Sequence, residues 1–354
     1  MKVVLLAPTP PPAGGIASWT VRMQNAALKN GWKVKVVDEK LIGNREVFGG
    51  KSNKNIYMEI KRCIRIWKDL IKTLKDNEVK VVHSCIPASS LGMLREYVCA
   101  IISKSKRKKF IIHYRCTIPN MCNSKIGLMI FKLLTNKSDL VMALNSHSLS
   151  FVENHSNTPV IVIPNFIEKS AISKKNSKEI SPQVKTILYV GGVIQSKGCE
   201  DILCVAREFP HIKFRLVGNI DTNIYSQDIP SNVVLCGEKN KSEVKREMIE
   251  ADLFMFVSYF PGEGFSNALA EAMASGLPCI ASDWAANKDM LENKGGIIVP
   301  IKDTIKMKDA IEILQNDITL RKSQSEWNIK KVKEYYTEKI VTGQYVDEYE
   351  KLME

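Results

Sequence analysis

Two glutamates, Glu263 and Glu271, stand with seven residues between them in the segment Tyr259–Asp283, YFPGEGFSNALAEAMASGLPCIASD. A strand-like run, Leu253–Val257, enters a loop holding Pro261, Gly262 and Gly264, and Ser266 or Asn267 can cap the helix that follows. The start of a helix carries partial positive charge, so phosphates or carboxylates gather there. Ala268, Ala270, Ala272, Ala274 and Gly276 permit close packing, and Gly276-Leu277-Pro278 ends the helix. Taken as generic sequence, Glu271 reads more readily as a solvated helix acid and Glu263 as a loop acid. Two other segments, VLLAPTPPPAGGIAS with Gly14 and Gly15, and ILYVGGVIQSKGCE with Gly191 and Gly192, each run from a hydrophobic strand through a glycine turn into a helix. Such turns let backbone approach a phosphate. Neither is a GxGxxG fingerprint, so a nicotinamide site is not indicated. Two of them facing each other across a cleft would suit a nucleoside diphosphate.

The elements that must position these residues alternate regularly. β-branched runs at Lys2–Ala7, Lys33–Asp38, Lys80–Cys85, Lys109–His113, Leu140–Leu144 and Val160–Pro164 are separated by helical patterns. A second series follows at Thr186–Val190, Lys213–Val217, Asn232–Cys236, Leu253–Val257, Pro278–Ser282 and Gly296–Pro300. Strand–helix alternation of this length requires parallel sheets covered on both faces, hence two doubly wound α/β domains in tandem. The expected division is a domain over 1–168, a polar linker over 169–184 and a domain over 185–334. The final helical stretch, Glu326–Glu354, would cross back onto the first domain from about residue 335. Ile56, Ile60, Ile64, Trp67, Ile71 and Leu74 recur at helical spacing opposite Lys61, Arg62, Arg65, Lys68 and Lys72, and read as the core-facing stripe of a helix rather than a membrane-surface one.

The chain of 354 residues is 45% hydrophobic and 25% charged, which excludes wholesale disorder. No apolar run approaches the ~20 residues that span a bilayer, and Val3–Ala7 is too short for a signal-peptide core. The nine Cys are odd in number, without a CxxC pair, and read as reduced thiols of a cytoplasmic protein, with zinc not expected. Residues 1–170 hold 27 basic and 11 acidic residues, a net +16, whereas 171–354 hold 24 and 27, a net −3. A field of that kind attracts an anionic membrane or a nucleic acid, although a solvated lysine-rich surface would look the same. Lys104, Lys106, Arg107, Lys108 and Lys109 are the densest basic cluster.

The Glu263–Glu271 segment resembles the Glu–seven–Glu motif of retaining glycosyltransferases, in the form met in family 4 enzymes of polysaccharide biosynthesis. GGIAS resembles that family's glycine loop, VIPNF (Val162–Phe166) the strand end before the interdomain linker, and YVGGVIQSKG its phosphate loop, while SDWAANKDML and GGIIVP close the domain as in the family. The resemblance spans essentially the whole chain and is strong from Lys185 to Pro300. It implies a GT-B fold: two facing Rossmann-like domains, the first for the acceptor and the second for a nucleotide-diphosphate sugar. It further implies that Glu271 takes the donor ribose and Glu263 the sugar hydroxyls. The backbone of Gly264, Phe265 and Ser266, beside Asn267, would orient sugar and phosphate. Lys197 would neutralise the departing diphosphate, and Gly14 and Gly15 would close from the opposite domain. His113, in FIIHYRC, matches the family's histidine near the sugar, although it also reads as a strand-end histidine held by backbone bonds; His83, in VVHSC at the end of the preceding strand, is the competing candidate. Two positions depart from the family: Gly192 stands where it has a phosphate-binding arginine, leaving Arg115 as a candidate substitute, and Asp289 stands for a glutamate.

The expected function is thus hexosyl transfer, metal-independent and without a cofactor, from a nucleotide sugar to a lipid-linked or oligosaccharide acceptor. The basic first domain suggests that the acceptor is presented at the anionic inner face of the cell membrane, with the enzyme peripheral there and Lys104–Lys109 facing the lipid. The competing classes are a nucleotide-sugar epimerase of the same fold and a non-catalytic nucleic-acid- or membrane-binding protein. Nucleic acid is disfavoured, because the basic residues are not interleaved with aromatics and no recognition motif appears.

Overall fold

The computed structural model describes residues 1–11, 14–41, 56–172, 178–225 and 228–354. It divides into two units, Met1–Asn165 with Val341–Glu354, and Phe166–Ile340. In the first unit the order is β1 (Lys2–Ala7), α1 (Gly15–Lys29), β2 (Lys33–Asp38), α2 (Ile56–Thr73), β3 (Val79–Ile86), α3 (Ser90–Ser105), β4 (Lys109–Tyr114), α4 (Ile118–Met121), α5 (Lys125–Lys137), β5 (Leu140–Ala143), α6 (Ser146–His155) and β6 (Val160–Val162). Its six strands pair in parallel in the order β2-β1-β3-β4-β5-β6. The chain moves one way across the sheet through α1 and the other way through α2, α3, α5 and α6. Right-handed crossovers therefore place α1 on one face and the other four on the opposite face. Central strands of such a sheet are covered on both sides, and from Val3 to Ala7 β1 is wholly buried.

The second unit runs β7 (Thr186–Val190), α7 (Cys199–Ala206), β8 (Lys213–Val217), α8 (Thr222–Tyr225), β9 (Val233–Gly237), α9 (Lys241–Glu250), β10 (Leu253–Phe256), α10 (Asn267–Ala274), β11 (Cys279–Ser282), α11 (Asn287–Leu291), β12 (Gly296–Val299), α12 (Thr304–Asn316) and α13 (Ile318–Tyr335). Its parallel sheet has the order β12-β11-β10-β7-β8-β9. Glycine is demanded at Gly218, whose φ is +145° and where a Cβ would lie 1.8 Å from the Gly191 carbonyl oxygen.

Two expectations are corrected, the final helical stretch and the α2 stripe. The single stretch Glu326–Glu354 is two helices, because α13 stops at Tyr335 and α14 (Glu338–Met353) begins after Tyr336 and Thr337. The polar segment before β7 is tied down where it is described: Arg321 donates to the carbonyls of Ser181 and Pro182 at 2.8 and 3.0 Å. Residues 173–177, which fall in the expected linker, lie outside the described residues. Finally, the stripe on α2 faces the core only at Trp67, which packs against it, and at Leu74, which is buried in it. Ile66, Leu70 and Thr73 are buried, whereas Ile56, Ile60, Ile64 and Ile71 are exposed.

Candidate functional site

In the second unit, β7 delivers the chain into the loop 191–198 and β10 into the loop 257–266. The two loops are bound together, since the Tyr259 N–H donates to the Ser196 carbonyl at 3.0 Å. Gly198, at φ +76°, lets the first loop pass against β10, where a Cβ would meet the Val257 carbonyl oxygen at 2.4 Å. The second loop is fixed from behind by the Trp284 indole N–H on the Phe260 carbonyl (2.8 Å) and the Ser282 hydroxyl on the Ser258 carbonyl (2.5 Å). Lys197 and Glu263, far apart in sequence, consequently meet as an ion pair, both side chains retaining some exposure. The Lys197 ammonium also lies over the rings of Phe260 and Phe256, 4.9 and 5.7 Å from their centroids. A cation presented at a glycine loop beside a carboxylate is suited to exchange that partner for a phosphate.

The Ser266 hydroxyl caps α10, accepting from the Leu269 N–H at 3.2 Å. Phe265 is buried edge-on against Tyr336, with centroids 5.2 Å apart, so its backbone is held while its side chain serves packing. Gly264 and Asn267 flank this helix start, and Asp289 lies in the first turn of α11. A Cβ at Gly192 would meet nothing within 4 Å, and the same holds for Gly14, which precedes α1, and for Gly15, its first residue. Packing does not demand glycine there, and the space is open to an approaching group.

One turn into α10, Glu271 lines an open cleft with Val190, Met248, Ser275, Glu168 and three lysines, Lys239, Lys241 and Lys245. Each lysine is already engaged: Lys239 with Glu247 (2.6 Å), Lys241 with Glu168 (2.5 Å) and Lys245 with the Ser170 carbonyl (2.5 Å). Arg215, then Lys239, hold the Glu247 carboxyl well below the usual range, at about 2. The sequence reading missed this lysine rim. Its signal was the capping box of α9, in which the Asn240 side chain and Glu243 satisfy each other's backbone N–H groups. That box marks where a loop rich in lysine must turn.

The histidine candidates lie in the first unit, where strands β3 and β4 bring His83 and His113 side by side. They are partners rather than competitors: His83 Nε2 and His113 Nδ1 are 3.1 Å apart. Arg115 can only donate, and its guanidinium reaches His113 Nε2 at 3.2 Å. His113 therefore carries its proton on Nδ1 and donates to His83 Nε2, and His83 donates from Nδ1 to the Tyr349 hydroxyl at 2.6 Å. Both rings are fully buried. Burial, with the Arg115 charge adding to it, pushes His83 down to about 3 and His113 well below its ordinary value, so both are neutral. Arg115, only 7% exposed, also donates to Asn165 and lies 4.6 Å over the Trp19 ring. Its charge is committed inside the unit. Cys85 completes a buried group with donor atoms within 4.8 Å of one another. The hydrogen-bond chain occupies every imidazole nitrogen of this group, and the adjacent guanidinium opposes a cation. Tyr349 and Trp19 carried no sequence signal, and Asn165 stood only within VIPNF, since tertiary folding alone brings them to the histidines.

The basic cluster lies at the end of α3 and the turn into β4. Lys104 pairs with Asp139 at 2.5 Å, Lys106, Arg107 and Lys109 are exposed, and Lys108 is half-buried. Among the described residues, no helix is long and apolar enough to cross a membrane.

Residues 184–317 match the family model of the glycosyl transferases group 1. The chain is 26% identical over 222 residues to the processive diacylglycerol alpha-glucosyltransferase of Acholeplasma laidlawii, covering 55% of this chain and 66% of that one. Across the curated glycosyltransferases it resembles, it spans between 23% and 66% of their length. Among solved structures, the sucrose-phosphate synthase of Thermosynechococcus elongatus superposes with a TM-score of 0.78 at 15% identity, over 99% of each chain. HepE of Anabaena, solved in complex with UDP, does so with a TM-score of 0.75 at 14% identity, over 99% of this chain and 100% of that one. The two six-stranded parallel sheets with their helices are the two-domain α/β architecture of GT-B proteins.

Proposed function

We propose that the protein is a retaining, metal-independent hexosyltransferase that moves a sugar from a nucleotide diphosphate to a lipid-linked glycan acceptor of surface polysaccharide assembly. The observation that carries this is the meeting of Lys197 and Glu263 at the glycine loop, beside a capped helix whose Glu271 opens onto a cleft. Glu271 would accept hydrogen bonds from the ribose hydroxyls, as a carboxylate does well. The diphosphate would draw Lys197 away from Glu263, releasing that carboxylate for the sugar hydroxyls and placing the ammonium where negative charge builds as the bond breaks. His113, fully buried and with both ring nitrogens engaged by His83 and Arg115, would hold Arg115 in place rather than donate a proton. The UDP complex of HepE and the lipid substrate named for the Acholeplasma relative support testing uridine diphosphate sugars and lipid acceptors first.

The test is a thermal-shift screen of nucleoside diphosphates and nucleotide sugars, since a ligand of the folded state raises the melting temperature. No shift with any of them would overturn the proposal, and conversion of donor alone to an epimer would replace it with isomerisation. Glu271→Ala is expected to weaken donor binding by about 1.5–3 kcal/mol, the contribution of a hydrogen bond to a charged group. Calorimetry showing wild-type affinity would remove Glu271 from the donor site. Turnover in excess EDTA should equal turnover without it, and a loss restored by a divalent ion would refute metal independence.

A further inference from the structure

The geometry points to the outer face of α2, α3 and α5 as a docking surface for an anionic lipid bilayer. On α2, Ile60, Ile64 and Ile71 recur at one-turn and two-turn intervals with exposures of 55%, 42% and 42%. On α3, Leu91 and Leu94 point outward, and on α5 so do Ile126, Met129 and Leu133. These helices are neighbours in one layer: α2 packs on α3, and α3 on α5. Beneath them lies one core, to which α2 contributes Ile66 and Leu70, α3 Met93 and Cys99, and α5 Phe131 and Leu134. Their inner faces are thus fully used, and the aliphatics outside them add nothing to that core. Single exposed aliphatics are ordinary, but three adjacent helices bearing them at helical spacing form a patch.

The charges on the same helices select the occupant. Lys61, Lys68 and Lys72 on α2, and Lys125, Lys132 and Lys137 on α5, are exposed, while Asp69 is the one exposed acid of the three helices. A second copy of the chain would set these lysines against their equivalents. An anionic bilayer neutralises them, while the aliphatic side chains enter the boundary between headgroups and acyl chains and the lysine stems lie along it. The surface rests on the proposed function only for its purpose, to bring the enzyme to a lipid-borne acceptor.

Co-sedimentation of the full chain with phosphatidylcholine vesicles, with or without roughly one third phosphatidylglycerol, tests this. Binding is expected only to the anionic vesicles and should fall with salt. Ile60→Ser/Ile64→Ser/Met129→Ser should lower partitioning roughly tenfold or more at an unchanged melting temperature, since the side chains removed are exposed. Lys61→Gln/Lys68→Gln/Lys132→Gln should weaken binding and flatten its salt dependence. Wild-type partitioning of the serine variant overturns the proposal. So does a greater loss from Lys106→Gln/Arg107→Gln/Lys108→Gln/Lys109→Gln, which would assign binding to the basic turn, and so does a wild-type dimer that the serine variant splits. Thermal shift by a nucleoside diphosphate, read on each variant, separates the two readings: vesicle binding lost with that shift intact is a failure of the surface alone.

Discussion

Lys197→Ala is expected to lower turnover at saturating donor by about 10²–10³-fold, the effect of removing one preorganised group from a developing charge. Its ammonium is positioned before any ligand arrives, by the pair with Glu263 and the rings of Phe256 and Phe260. The loop that carries it is bound to the neighbouring loop through Tyr259 and Ser196. Charge on the leaving diphosphate grows towards the transition state, so kcat should fall further than donor affinity. Steady-state kinetics with product quantified by chromatography checks this. An unchanged kcat would mean that another cation carries the charge. Arg115 would have to abandon His113 and Asn165 to do so, and Gly192 supplies none.

Stability should decline steeply as pH falls below about 6.5. In the unfolded chain each imidazole gains a proton near its ordinary pKa, whereas the folded protein keeps His83 neutral down to about 3 and His113 well below its ordinary value. Between those limits the unfolded state binds more protons, so stability is fully present above pH 6.5 and is lost as pH falls. The slope is about 1.4 kcal/mol per pH unit for each histidine, or roughly 3 kcal/mol for the pair. Glu247, held at about 2, contributes a separate loss that begins only below its ordinary value of 4.5. Glu39, whose carboxyl burial holds well above its ordinary value, opposes this loss by taking up a proton in the folded state. Urea midpoints from pH 8 to 5, compared between the wild type and His83→Gln, isolate the histidine share, and an unchanged slope in the variant would show that His83 accepts its proton while folded.

The sequence by itself determined the local elements. Among the described residues, all twelve strands were legible to within two residues: central strands buried on both faces are apolar along their length, and the edge strand β2 alternates. The helix start at Ser266 was legible for the same kind of reason, since a cap is a contact between residues three apart. The stop after Tyr335 was not, because nothing apolar or glycine-rich interrupts the pattern there.

Only the tertiary structure decided what crosses the chain. Lys197 meets Glu263 because two parallel strands end side by side, and no periodicity encodes that neighbour. His83 and His113 looked like alternatives in sequence, and β-sheet register made them one hydrogen-bonded pair. The tautomers then followed from Arg115, and the terminal proton acceptor, Tyr349, arrived from the far end of the chain. The stripe of α2 is the clearest case. Helical spacing says that Ile60, Ile64 and Ile71 share a face, but which way a face points is set by what packs beneath the helix. Ile66 and Leu70 took the core, and the isoleucines were left outside.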